Sequence, residues 1–190
     1  MSLISKVYTF ISGATIVAGQ HNKNFDDIYN DYNGNITNAN ISASAAIDYT
    51  KVNGLSNVLK RTLILKAFGD TESVITGNGK VYCTIPAEFN GMNLTAVGLA
   101  CYTTSSSGLP NVTIERGRRA TASSAPTYAD MLSTALTIDV GEYDSVNATT
   151  AAVIDTTKDD VLTADIVRIN VDGAGVGVQG LEARLTFQTP

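Results

Sequence analysis

At 190 residues, the chain is long enough for one well-buried core, or for a smaller core with an extended arm. Apolar residues make up 44% and charged residues 16%, the latter well below the roughly 25% of an average soluble domain, and no run approaches the roughly 20 apolar residues that a membrane span needs. A net charge of −5 argues against a general polyanion binder, so neither nucleic acid nor a bilayer is an expected partner.

The opening run Met1-Ser2-Leu3-Ile4-Ser5-Lys6 has no basic segment followed by an apolar stretch, so no secretory signal is expected. Lys6–Ile11 reads as a short strand closed by a turn at Ser12-Gly13. Beyond Gly19–Asn24, the residues Phe25, Ile28, Tyr29 and Tyr32 follow at i, i+3, i+4, i+7, which puts four large groups on one face of a short helix. Asn33-Gly34 ends it. So short a helix is marginal alone in water. Its face must therefore cover part of the chain's own β domain or meet other copies around a threefold or twofold axis. Ile36, Ile41 and Ile47 continue the apolar series among small polar residues, and Gly54 marks a hinge.

Beyond residue 58 the pattern switches to period two. Val58–Phe68 alternates, with Leu59, Leu63, Leu65 and Ala67 on one face and Lys60, Thr62 and Lys66 on the other; Ile64 and Phe68 interrupt the polar face, as for a strand covered on both sides. Thr76-Gly77-Asn78-Gly79 predicts a hairpin turn into Lys80–Ile85. Further strands are predicted at Leu94–Thr103, Asn111–Arg116, Leu132–Val140 and Ile166–Val171, with a last one around Leu181–Phe187. Abundant Thr and Val for strands, with Asn, Ser and Gly for turns, give a mainly β protein. The expected architecture is an N-terminal strand/helix stalk over 1–54 and a jelly-roll-like β-sandwich over 55–190. Low-charge β chains must hide their edges, which favours association.

Few residues assemble into chemistry. Gly175-Val-Gly177-Val-Gln-Gly180 matches the glycine spacing of a dinucleotide-binding turn, but an alternating strand follows instead of the required helix. It reads as a strand connection. His21 has no cysteine or second histidine to form a metal set, and Cys83 and Cys101 read as free thiols rather than a disulfide. The acidic pairs Asp26-Asp27, Glu142 with Asp144, and Asp159-Asp160 lack the aromatic-lined cleft of a glycosidase, tryptophan being absent. Five Asn-x-Ser/Thr sequons follow from an Asn- and Thr-rich composition. No nucleophile, base and orienting group come together, so no catalytic residue, cofactor or metal is expected. Arg116, Arg118 and Arg119 form a basic cluster that either clamps an anionic glycan or a partner's acidic edge, or pairs with the chain's own carboxylates.

The run Thr9-Phe10-Ile11-Ser12-Gly13 … Asn22-Lys23-Asn24-Phe25-Asp26-Asp27-Ile28-Tyr29 resembles the start of tailed-phage fibre proteins, where a short F-x-x-G strand precedes an N-x-N-F helix opening. Gly34–Val52 is similar to the I-x-N-A-x-I-x-x-x-A-x-I-x-Y-S-K-L segments of phage fibre stalks, with Thr50 and Val52 where Ser and Leu are usual. Thr163–Asp172 and Gly180–Phe187 resemble the last strands of small β-sandwich domains in phage virion proteins. The resemblance implies a virion structural protein, a homotrimeric short fibre or spike. Phe25, Ile28, Tyr29, Tyr32, Ile36, Ile41 and Ile47 would then lie at the trimer interface. The N-terminal region would meet capsid, portal, neck or tail proteins. A distal knob would contact host-surface polysaccharide through loops near Tyr102 and Tyr128, with the three arginines as further candidates. The alternative is a capsid decoration protein that reinforces the shell.

Overall fold

The computed structural model describes residues 9, 11–15, 17–32, 45 and 59–190. The chain divides into two units, Met1–Asn53 and Gly54–Pro190.

In the first unit, a turn closes at Ser12-Gly13 with the Ala14 amide donating to the Ile11 carbonyl at 3.1 Å. The helix α1, Ala18–Tyr32, starts about two turns before the expected apolar series. The Gln20 and His21 amides bond back to the Val17 carbonyl, so Gly19–Asn24 is helical rather than a lead-in. Phe25, Ile28 and Tyr29 are exposed on it, and the His21 ring meets Phe25 edge-on at 4.8 Å. The side chain of Tyr32, the strand expected over Lys6–Ile11, and Ile36, Ile41 and Ile47 lie outside the described residues.

The second unit is a mainly β sandwich of two antiparallel sheets. Its strands are β1 (Lys60–Ser73), β2 (Gly77–Thr84), β3 (Met92–Thr103), β4 (Pro110–Arg118), β5 (Thr127–Asp130), β6 (Leu132–Thr134), β7 (Leu136–Thr137), β8 (Val153–Ile154), β9 (Asp160–Val161), β10 (Ile166–Ala174) and β11 (Gln179–Gln188). The first sheet runs β1-β11-β3-β9 and the second β2-β10-β4-β5, with β7 also on β4; β6 and β8 form a small ribbon. Alternation drives the packing: Leu181, Ala183, Leu185 and Phe187 on β11 and Val167, Ile169 and Val171 on β10 share one hydrophobic core.

Two expectations change here. The turn signature around Asn78-Gly79 does not make a hairpin: Gly77–Thr84 is all strand, and β1 and β2 belong to different sheets. Gly77 (φ 139°) and Gly79 (φ 63°) absorb an irregularity in the β2–β10 register, which is another use for backbone that tolerates positive φ. Nor is β1 covered on both sides. A bulge between Lys66 and Phe68 rotates Phe68 into the core at 4% exposure, while Ile64 stays outside at 61%.

Candidate functional site

The alternation of β4 decides the fate of the basic cluster. Val112 and Ile114 are fully buried, so Arg116 and Arg118 continue the inward-facing series to the end of the strand. There they clasp the two sheets together. Arg116 Nη1 donates to the Asp160 carbonyl at 2.6 Å and to its carboxylate. Arg118 reaches Asp160 at 2.9 Å and holds the buried Asp165 through Nε and Nη2, the shortest contact being 2.7 Å. Asp165 also accepts from the Leu162 amide at 2.9 Å. Burial opposes the charge on Asp160, but hydrogen bonds from Arg118 and Arg116 outweigh it and hold that carboxyl below its ordinary range. Ala164, beside Asp165, takes φ 70°, a conformation that disfavours side chains. Its amide bonds to the Ile85 carbonyl at 2.9 Å. Of the two sequence readings, pairing with the chain's own carboxylates holds for Arg116 and Arg118. Arg119, just past β4, is exposed and lines a shallow depression with Thr121, Thr163 and Asp165.

The two tyrosines expected at glycan-contact loops face opposite ways. Tyr102 follows the buried Cys101 on β3 and is 58% exposed on the outer face of the first sheet, with Lys66 Nζ 5.3 Å from its ring centre. The loop after it is fixed by Ser105, whose hydroxyl donates to the carbonyls of Ser107 and Gly108. That loop also bonds to Val176 in the β10–β11 connection, so Gly175–Gly180 is the glycine-rich strand connection expected of it. Tyr128 sits not in a loop but on β5, opposite Gly117, on the outer face of the second sheet.

That outer face carries a polar network that sequence reasoning missed. Tyr82, Arg168, Glu115 and Asp130 are register neighbours across β2, β10, β4 and β5. Arg168 Nε donates to Glu115 at 2.5 Å, and its guanidinium stacks 3.5 Å from the Tyr128 ring centre. Asn170 donates to Glu115 at 2.7 Å and accepts from the Gly79 amide at 2.8 Å. Burial works against the Glu115 charge, yet the bonds from Arg168 and Asn170 prevail and hold its carboxyl below the ordinary range. Asp130 is the opposite case: burial, then the neighbouring charges of Glu115 and Asp172, push its carboxyl up. Cys83 and Cys101 are free, and burial pushes both thiols up.

Among the described residues no three His, Cys, Asp or Glu side chains are placed to hold a metal ion, and no helix is long and apolar enough to cross a membrane. No protein family matches the chain, and no curated protein or solved structure matches it.

Proposed function

We propose that the chain is a virion structural protein of a tailed phage, a homotrimeric short fibre or spike. The N-terminal unit associates and meets capsid, portal, neck or tail proteins, and the sandwich contacts host-surface glycans. The observation that carries the reading is α1. Phe25, Ile28 and Tyr29 are 45%, 42% and 60% exposed along one side of a helix in a unit distinct from the sandwich. An amphipathic helix with its apolar stripe in water is a subunit contact waiting for other copies. The strand order supports reading the sandwich as a jelly roll, since β1 to β4 alternate between sheets and β9 to β11 do so again.

Light scattering of the full chain at micromolar concentration is expected to give three times the monomer mass, and a monomer would sink the trimer. Phe25→Asp with Ile28→Asp is expected to weaken association at least about tenfold while leaving the β signal in circular dichroism intact. An unchanged native mass in that variant would remove the helix from the interface. Binding to capsid lattices by a protein that binds no glycan would favour decoration.

A further inference from the structure

We propose that the outer face of the second sheet is a binding surface for uncharged oligosaccharides, with Tyr82 as the stacking platform and Asp130 as a hydroxyl acceptor. The proposal deepens, and rests on, the glycan-contact part of the reading above, but it does not require a trimer.

The geometry begins with two glycines. Side chains on a strand ordinarily stand up from the sheet, and an aromatic ring can lie down along it only where the neighbouring position has no Cβ. A Cβ on Gly79 would fall 1.9 Å from the Tyr82 hydroxyl oxygen and 2.4 Å from Cζ; one on Gly117 would fall 2.6 Å from Tyr128 Cε1. Both rings therefore rest on bare backbone. The network beneath them is fixed: Asn170 is 4% exposed although it lies on the outward side of β10, and it anchors both Gly79 and Glu115. Arg168, held by Glu115, fills the space beside Tyr128. Tyr82 remains 56% exposed on this bed. It is a flat apolar surface held in advance, so a ligand stacking on it loses little further freedom.

Charge then selects the ligand. Arg168 and Glu115 neutralise one another, and Lys158, the other cation that bears on Asp130, is itself paired with Asp155 at 3.2 Å, which leaves Asp130 and Asp172 as negative excess around Asp130. Asp130 makes no side-chain hydrogen bond or ion pair among the described residues. An ionised carboxylate only accepts, which suits the paired hydroxyl donors of a sugar, whereas sulfated or carboxylated glycans meet like charge. Tyr82 and Asp130 stand three strand spacings apart in one row, roughly 14 Å, enough for more than a single pyranose ring. The flat face of such a ring matches Tyr82, and its hydroxyls match Asp130.

The test uses the full-length protein on a printed array of bacterial-surface oligosaccharides, both neutral and acidic. Neutral oligosaccharides are expected to be retained. Tyr82→Ala and Asp130→Ala should each weaken that binding at least about tenfold. Tyr82→Phe, which keeps the ring, should retain more binding than Tyr82→Ala, and Ile64→Ala, exposed on the other sheet, should leave binding unchanged. A silent array, retention of acidic glycans alone, or neutral binding unaltered by Tyr82→Ala would each overturn the proposal. Native mass measured on the same preparation separates this outcome from the broader reading. A trimer with a silent array removes the sugar site and leaves the spike; a monomer whose sugar binding depends on Tyr82 does the reverse.

Discussion

Phe187→Ala is expected to cost the sandwich about 3–5 kcal/mol, the range for truncating a fully buried aromatic side chain. Phe187 is 0% exposed near the end of β11, its ring meeting Phe89 edge-on at 5.7 Å. Its backbone stands between Arg61 of β1 and Leu94 of β3, at the middle of the first sheet. No small movement fills the space, because the strands on either side are fixed by their own ladders. A loss of that size is a large share of the roughly 5–15 kcal/mol that keeps a domain folded. Urea unfolding followed by the β signal should show the midpoint fall sharply with little change in slope. Ile64→Ala, at 61% exposure on β1 of the same sheet, is the matched control and should move stability by no more than about 0.5 kcal/mol. Equal effects from the two would mean that the core is not where the burial places it.

The contrast between those residues shows where the sequence was legible. In β4, β10 and β11 the alternation of apolar and polar side chains is long enough to give both strand and face, so the core members Ile114, Ile169 and Leu185 could be named from spacing alone, whereas in β3 an irregularity switches the buried parity from Met92 and Leu94 to Leu99 and Cys101. The two-residue strands β8 and β9 cannot carry a period, and Thr127–Asp130 is too short and too polar to separate from a loop. Turn chemistry misled at Asn78-Gly79, because a residue pair that tolerates positive φ serves a strand irregularity as well as a hairpin. One signal was present but unused. Arg116 and Arg118 keep the parity of Val112 and Ile114, which already pointed them inward rather than toward a ligand. The Tyr82–Arg168–Glu115–Asp130 row was not legible, since it joins four strands distant in sequence and depends on a register that no local pattern fixes.

Arg118→Ala should be the most damaging change among the charged residues, at roughly 2–3 kcal/mol. That is less than the ~3–5 kcal/mol for breaking a fully buried pair, because the Arg118 side chain is 34% exposed and water screens part of the interaction. The cost comes mainly from what is left behind: among the described residues Asp165, 4% exposed, keeps only the Leu162 amide for its carboxylate. Arg118→Met together with Asp165→Asn should recover part of the loss, since the amide oxygen can still accept from Leu162 while the unpaired charge is gone. If the double variant were no better than Arg118→Ala, the effect would be lost packing rather than a stranded charge. Acid gives an independent check. The Asp160 carboxyl is held below its ordinary range by Arg118 and Arg116 against the opposing effect of burial. Its contribution is therefore fully present above the unfolded-state value of about 3.9 and is lost as pH falls through the lower folded-state value. Arg118→Ala removes part of that depression, so the gap in stability between wild type and variant should be widest near neutrality and narrow as pH falls below about 4. A gap independent of pH would show that lost packing, not the loss of a partner for a carboxylate charge, sets the cost.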